Sequence, residues 1–247
     1  MTDFLDTPSG RRIAYHQSGG AGVGIVFLGG FMSDMEGTKA VALEAWAQAQ
    51  GRPFLRFDYS GHGQSSGAFQ EGSIGEWAED AQATIEALTL GPQVLVGSSM
   101  GGWIALLLSQ RVSSKVAGLV GIAAAPDFTE DSMLAGFSPE QMVALNETGV
   151  VMLPSDYGAP YPITSKLIED GRHHLVLRGP LPVPFPVRFL QGTDDSSVKR
   201  SVALALLDHA DGDDVRLQFV KGADHSFSTP DCMDVIQQNI TDVLSRQ

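Results

Sequence analysis

A chain of 247 residues with 43% hydrophobic and 18% charged side chains can bury one large core, so a single domain spanning 1–247 is expected. Its formal net charge of −13 argues against nucleic acid as a partner, because that binding rests on Lys and Arg neutralising phosphates, and against steady attachment to an anionic membrane. Cys232 is the only cysteine, which excludes an internal disulfide and a cysteine-based metal site.

Residues 1–6 lack the basic and apolar parts of a secretory signal, and the longest apolar runs are far shorter than the roughly 20 residues that span a bilayer. A cytoplasmic location is expected. Residues 11–16 alternate as an edge strand does, and a Gly-rich turn at 18–24 follows. Residues 23–28 form a continuous apolar run, as a strand covered on both faces requires. This run leads into the loop Gly29-Gly30-Phe31-Met32-Ser33-Asp34. A helix is predicted over 38–50, closed by Gly51, and a strand over 53–57. Residues 73–90 carry Trp77, Ala81, Ile85 and Leu88 on one helical stripe. An apolar strand precedes residue 97, a helix follows residue 100, and 116–122 reads as another buried strand.

After Pro126 the alternation breaks. Between 127 and 186 the pattern gives a helix over 138–147, a Pro/Tyr/Gly-rich stretch at 154–162 and a helix over 165–174. A segment of that length without clean βα repeats reads as a functional insertion, here a lid or cap over 127–186. Order then resumes with strand 187–190, helix 197–209, strand 215–220 and helix 230–244. Strands alternating with helices specify an α/β fold with a mainly parallel, three-layer sheet.

The chemistry centres on Gly97-Ser98-Ser99-Met100-Gly101, a G-x-S-x-G sequence between a strand pattern and a helix pattern. In that context it reads as a nucleophile elbow, a sharp turn that presents one serine hydroxyl to a pocket. Ser99 is the candidate, because it alone has glycine two positions away on both sides; Ser98 is a neighbour. A serine hydroxyl needs a base to take its proton and a third group to orient that base. His225 follows the last strand in the expected order. For the acid, the G-x-x-D-x-x-V spacing from Gly192 to Val198 selects Asp195 over Asp194, with Asp127 a further alternative. His16 and His209 read as surface residues, and His62 as part of a turn that shapes the backbone. His173 and His174 are placed either in the pocket or on a solvated helix face. No histidine spacing supports a metal, and no cofactor is expected. An oxyanion would be met by the backbone N–H groups of Met100 and of Phe31. Met32, Met133, Phe137, Met142, Met152, Tyr157 and Tyr161 are candidates for an apolar substrate pocket, those of the insertion equally for mere packing of a lid.

These pieces together resemble the α/β-hydrolase superfamily. The loop from Phe31 to Ala40, the segment Arg56-Phe57-Asp58-Tyr59-Ser60-Gly61 and the elbow through Trp103 resemble its animal mitochondrial acyl-glucuronide esterase and palmitoyl-protein thioesterase branch. Met152, Pro154, Ser155, Tyr157, Glu169 and His173-His174-Leu175 extend the likeness. It implies Ser99 as nucleophile, Asp195 as acid and His225 as base. Two departures stand out. Gln191-Gly192 replaces the branch's His-Gly and reads as a conservative change of shape, and the animal members' transit peptide is missing, as in a cytosolic relative or a mature form. The expected activity is hydrolysis of carboxylic esters or thioesters through an acyl-enzyme on a serine, and the likeness favours acyl-thioesters or acyl-glucuronide-like esters. Carbon–carbon bond hydrolysis or a peptidase-like reaction are alternatives with the same triad. A non-catalytic binding protein is disfavoured because all three positions are filled.

Overall fold

The computed structural model describes residues 2–155 and 158–247. In chain order the first half comprises β1 (Asp3–Asp6), β2 (Arg12–Ser18), β3 (Gly24–Leu28), α1 (Thr38–Ala49), β4 (Phe54–Phe57), α2 (Ile74–Leu88), β5 (Gln93–Ser98), α3 (Met100–Arg111) and β6 (Val116–Ile122). The second half comprises α4 (Pro139–Thr148), β7 (Val150–Ser155), β8 (Gly158–Thr164), α5 (Ser165–Arg172), β9 (Leu181–Pro182), β10 (Val187–Gly192), α6 (Arg200–His209), β11 (Ala210–Asp211), β12 (Val215–Val220) and α7 (Pro230–Leu244).

Eight strands form one sheet in the order β1-β2-β4-β3-β5-β6-β10-β12. The pairs β1–β2 and β2–β4 are antiparallel, and every other pair is parallel. Strands β3, β4, β5, β6 and β10 are buried at every position, which is why their sequences run largely apolar instead of alternating, with Arg56, Gln93, Ser98, Arg188 and Gln191 as buried polar exceptions. One face packs against α2, α3 and Leu206 of α6, with Trp77, Trp103 and Phe189 in the core. The other face packs against α1 and α7 through Leu43, Ala47, Ile236 and Ile240. Two cores thus flank one sheet, as the three-layer expectation requires.

Three elements differ from the sequence reading. The segment 11–16 is not the edge: β1 covers it, pairing Phe4 with Ala14 and Leu5 with Ile13. The Pro-rich stretch after residue 150 is a hairpin, β7–β8, in which Met152 faces Pro162 and Leu153 faces Tyr161. Helix α2 ends at Leu88, and Leu90 lies in the turn beyond it, fully solvated. Between β6 and β10 stand α4, the hairpin, α5 and β9. This insertion is tied to the body by polar bonds: Asp170 accepts from the Gly75 amide at 2.7 Å, and Trp103 donates its indole N–H to the His174 carbonyl at 2.9 Å.

Candidate active site

The central strand β5 turns into α3 at Ser99, whose backbone lies at φ 53° and ψ −118°. A non-glycine residue at positive φ is strained, and it persists only where its surroundings hold it. Here the Ser99 amide donates to the Ile122 carbonyl at 2.9 Å, and the Ser99 carbonyl accepts from Ala125 at 3.0 Å. The glycines are required by close approach. A Cβ on Gly97 would strike the Gly101 carbonyl, and one on Gly101 would strike the Leu28 carbonyl at the end of β3.

Asp195 follows β10 and His225 follows β12, so the sheet brings together groups separated by up to 126 residues. His225 Nε2 lies 3.1 Å from Ser99 Oγ, and His225 Nδ1 lies 2.9 Å from Asp195 Oδ2. With the Asp195 carboxylate at Nδ1, the neutral ring carries its proton there and offers Nε2 to the serine hydroxyl. The Asp195 side chain is wholly buried and fully bonded. Its Oδ1 accepts from the Ser197 and Val198 amides at 2.9 and 2.8 Å, and its Oδ2 also accepts from Gln191 Nε2 at 2.9 Å. Burial pushes this carboxyl upward, but the bonds from His225, Val198 and Gln191 outweigh it, and its pKa lies below the ordinary value.

The competing aspartates are placed elsewhere. Asp194 is exposed, and among the described residues its side chain accepts only from the Thr193 hydroxyl. Asp127 is buried, but its oxygens accept from the Val176 and Leu177 amides at 2.8 and 2.9 Å and from Arg178 at 3.2 Å. Its job is to fasten the returning end of the insertion to the end of β6.

The loop after β3 abuts the serine: a Cβ on Gly30 would sit 3.4 Å from Ser99 Cβ. The Phe31 amide has no hydrogen-bond partner among the described residues. Met100 is the first residue of α3, where a backbone N–H has no partner within the helix. Two groups in the turn after β4 hold this loop. Asp58 accepts from the Met35 amide at 2.7 Å, and His62 Nε2 accepts from the Met32 amide at 3.3 Å while its Nδ1 faces the Ser60 carbonyl at 3.2 Å. His62 is buried among Tyr59, Phe69 and Trp77, ring to ring at 5.0–5.7 Å. That burial lowers its pKa and keeps it neutral. Its part exceeds shaping the turn, because it also holds the loop after β3 through the Met32 amide.

The pocket-forming candidates take a different place. A cavity of about 280 Å³ beside Ser99 and His225 is lined by Gly30, Phe31, Ser33, Asp34 and the residues at the start of α1, with Ser226 and Ser228 opposite. None of Met32, Met133, Phe137, Met142, Met152 or Tyr161 lines it. Met32 and Met152 are more than half exposed, whereas Met133, Phe137 and Tyr161 pack against the core beside α2 and α3. Tyr161, Phe69, Trp77 and Phe128 surround the Phe31 ring at 5.0–6.0 Å, and this aromatic cluster consumes the apolar surface expected of a pocket. Tyr157 lies outside the described residues. His173 is exposed, and His174 pairs with Asp170 and Arg111, away from this cavity.

A sequence profile described as alpha/beta hydrolase fold matches residues 25–145. The mitochondrial palmitoyl-protein thioesterase ABHD10 of Bos taurus is 34% identical, over 98% of this chain and 80% of its own length. Among solved structures, a putative hydrolase from Agrobacterium vitis superposes with a TM-score of 0.95 at 37% identity, covering 99% of this chain and 98% of that one. The mouse alpha/beta hydrolase domain-containing protein 10 superposes with a TM-score of 0.91 at 33% identity, with the same coverage.

Proposed function

The chain belongs to the α/β-hydrolase fold family, and on that premise we propose that it is a serine-dependent hydrolase of carboxylic thioesters or esters, working through an acyl-enzyme on Ser99. The observation that carries this reading is the unbroken line from Ser99 Oγ through the His225 ring to the buried Asp195 carboxylate, at 3.1 and 2.9 Å. Ser99 attacks the acyl carbon as its proton passes to His225 Nε2. Asp195 holds the ring and stabilises the imidazolium, and the Met100 and Phe31 amides receive the oxyanion. His225 then returns the proton to the leaving group, and water admitted to the same base releases the acid. The thioesterases among the relatives favour acyl thioesters, with acyl-glucuronide-like esters next in line.

The test is labelling with a fluorophosphonate together with turnover of a matched panel of esters and thioesters. One label per wild-type chain is expected, none on Ser99→Ala, and a loss of turnover in that variant on the order of 10⁵–10⁶-fold. Equal labelling of the two proteins, or undiminished turnover in the variant, contradicts the assignment.

A further inference from the structure

The cavity beside Ser99 has a mixed apolar and polar lining. Beside Phe27, Phe31 and Ala40, the residues around it include Ser33, Thr38, Ser226, Ser228, Asp34 and Lys39. Ser33 donates to the Gly30 carbonyl at 2.8 Å, but the Thr38, Ser226 and Ser228 hydroxyls have no side-chain hydrogen-bond partner among the described residues. At about 280 Å³ the space falls just under the roughly 300–1,000 Å³ typical of drug-sized ligands, so it suits a compact polar group.

Lys39 is the unusual member. It is half-buried and makes no ion pair with any described carboxylate; its hydrogen bond goes to the Ser226 carbonyl, next to His225. An ammonium has three donors, so this bond leaves two unused among the described residues. Burial lowers the Lys39 pKa, with the charge of Asp224 opposing it. Taking a lysine out of water without a paired carboxylate is costly, and the cost is recovered when an anion arrives. Asp34, the one acidic side chain in the lining, is exposed, and its Oδ1 already accepts from the Glu36 amide at 2.9 Å. His225 lines the same space, and a general acid must lie within hydrogen-bond reach of the atom it protonates.

We propose that this cavity is the leaving-group subsite and that Lys39, with the Thr38, Ser226 and Ser228 hydroxyls, selects substrates whose leaving group carries an anion, a carboxylate or a phosphate. The proposal rests on the serine-hydrolase reading above and specifies its substrate class.

The test uses S-octanoyl thioesters of 2-mercaptoethanol, 3-mercaptopropionate and 2-mercaptoethyl phosphate, so that only the leaving group changes. Calorimetric binding to Ser99→Ala protein is measured alongside wild-type turnover. At least tenfold tighter binding of one or both anionic thioesters over the neutral one is expected, and whichever binds tighter identifies the anion. Adding Lys39→Met to Ser99→Ala should erase that preference while leaving the neutral thioester within about twofold. Adding Lys39→Arg should retain it and carry it to higher pH, because the guanidinium stays charged. In wild type, the same preference should appear in KM more than in kcat. Equal binding of all three thioesters, or of none, overturns the proposal. So does an equal loss on neutral and anionic thioesters in Lys39→Met, which would make Lys39 only a tether for the Ser226 loop. A preserved binding preference without wild-type turnover would instead contradict the serine-hydrolase reading.

Discussion

Gln191, next to last in β10, turns its amide onto the Asp195 carboxylate, donating to Oδ2 at 2.9 Å and to the Val198 carbonyl at 3.2 Å. Read from the sequence, it was a change of shape; in the fold it is one of the bonds that hold Asp195 charged and aimed. A hydrogen bond to a charged group is worth about 1.5–3 kcal/mol, so Gln191→Met should lower kcat on the order of tenfold with KM little changed. Steady-state kinetics across the pH range checks this. Because the folded Asp195 pKa is depressed, its contribution to stability is present above the ordinary carboxylate range and is lost as pH falls through the folded value. Removing the Gln191 bond should move that loss to higher pH. His62 runs the other way. Its depressed pKa makes the unfolded chain bind the extra proton first, so stability rises with pH between the folded value and about 6.5. His62→Gln should flatten that slope in denaturant titrations. Ser99, Asp195 and His225 were legible because each follows a strand end with its own local signature. Gln191, His62 and Lys39 were not, because a side chain's partner across the fold leaves no mark on local spacing.

At the scale of elements, the buried parallel strands and the long helices announced themselves through apolar runs and helical stripes. Strand β1 did not, since Asp3–Asp6 is short and its pairing with β2 is antiparallel and half-solvated. The β7–β8 hairpin was hidden by its prolines, which are excluded from sheet interiors but tolerated in a two-stranded ribbon where each strand is an edge. The insertion's attachment depends on single residues. Asp127→Ala strips partners from the Val176 and Leu177 amides, at a cost of about 1–3 kcal/mol for each one left unsatisfied. Limited proteolysis should then cut within 127–186 well before the sheet, whereas wild type should resist at both places.

At the scale of the whole molecule, the strand order places the ends of β3, β5, β10 and β12 at one edge of the sheet, and every group of the proposed chemistry stands there. This is the crevice at the carboxyl ends of strands where open α/β sheets accept ligands. The insertion interrupts the alternation only after β6, so it builds beside that edge without disturbing the register below it. Trp77 links the levels: it is fully buried, donates its indole N–H to the Ser60 carbonyl at 3.0 Å and packs on both Phe31 and His62. Trp77→Ala should cost about 3–5 kcal/mol, a large share of the 5–15 kcal/mol typical of a folded domain. A fall in the denaturant midpoint of matching size, with activity lost in proportion to unfolding, checks it.

In the proposed chemistry Ser99 carries the acyl group between two half-reactions. Mixing the enzyme rapidly with excess p-nitrophenyl octanoate, then quenching in acid for peptide mass spectrometry, tests it most directly. An octanoyl adduct on the peptide containing Ser99 is expected, forming within the first turnover and absent from Ser99→Ala. Turnover without any adduct, or an adduct on another residue that survives in Ser99→Ala, would contradict it.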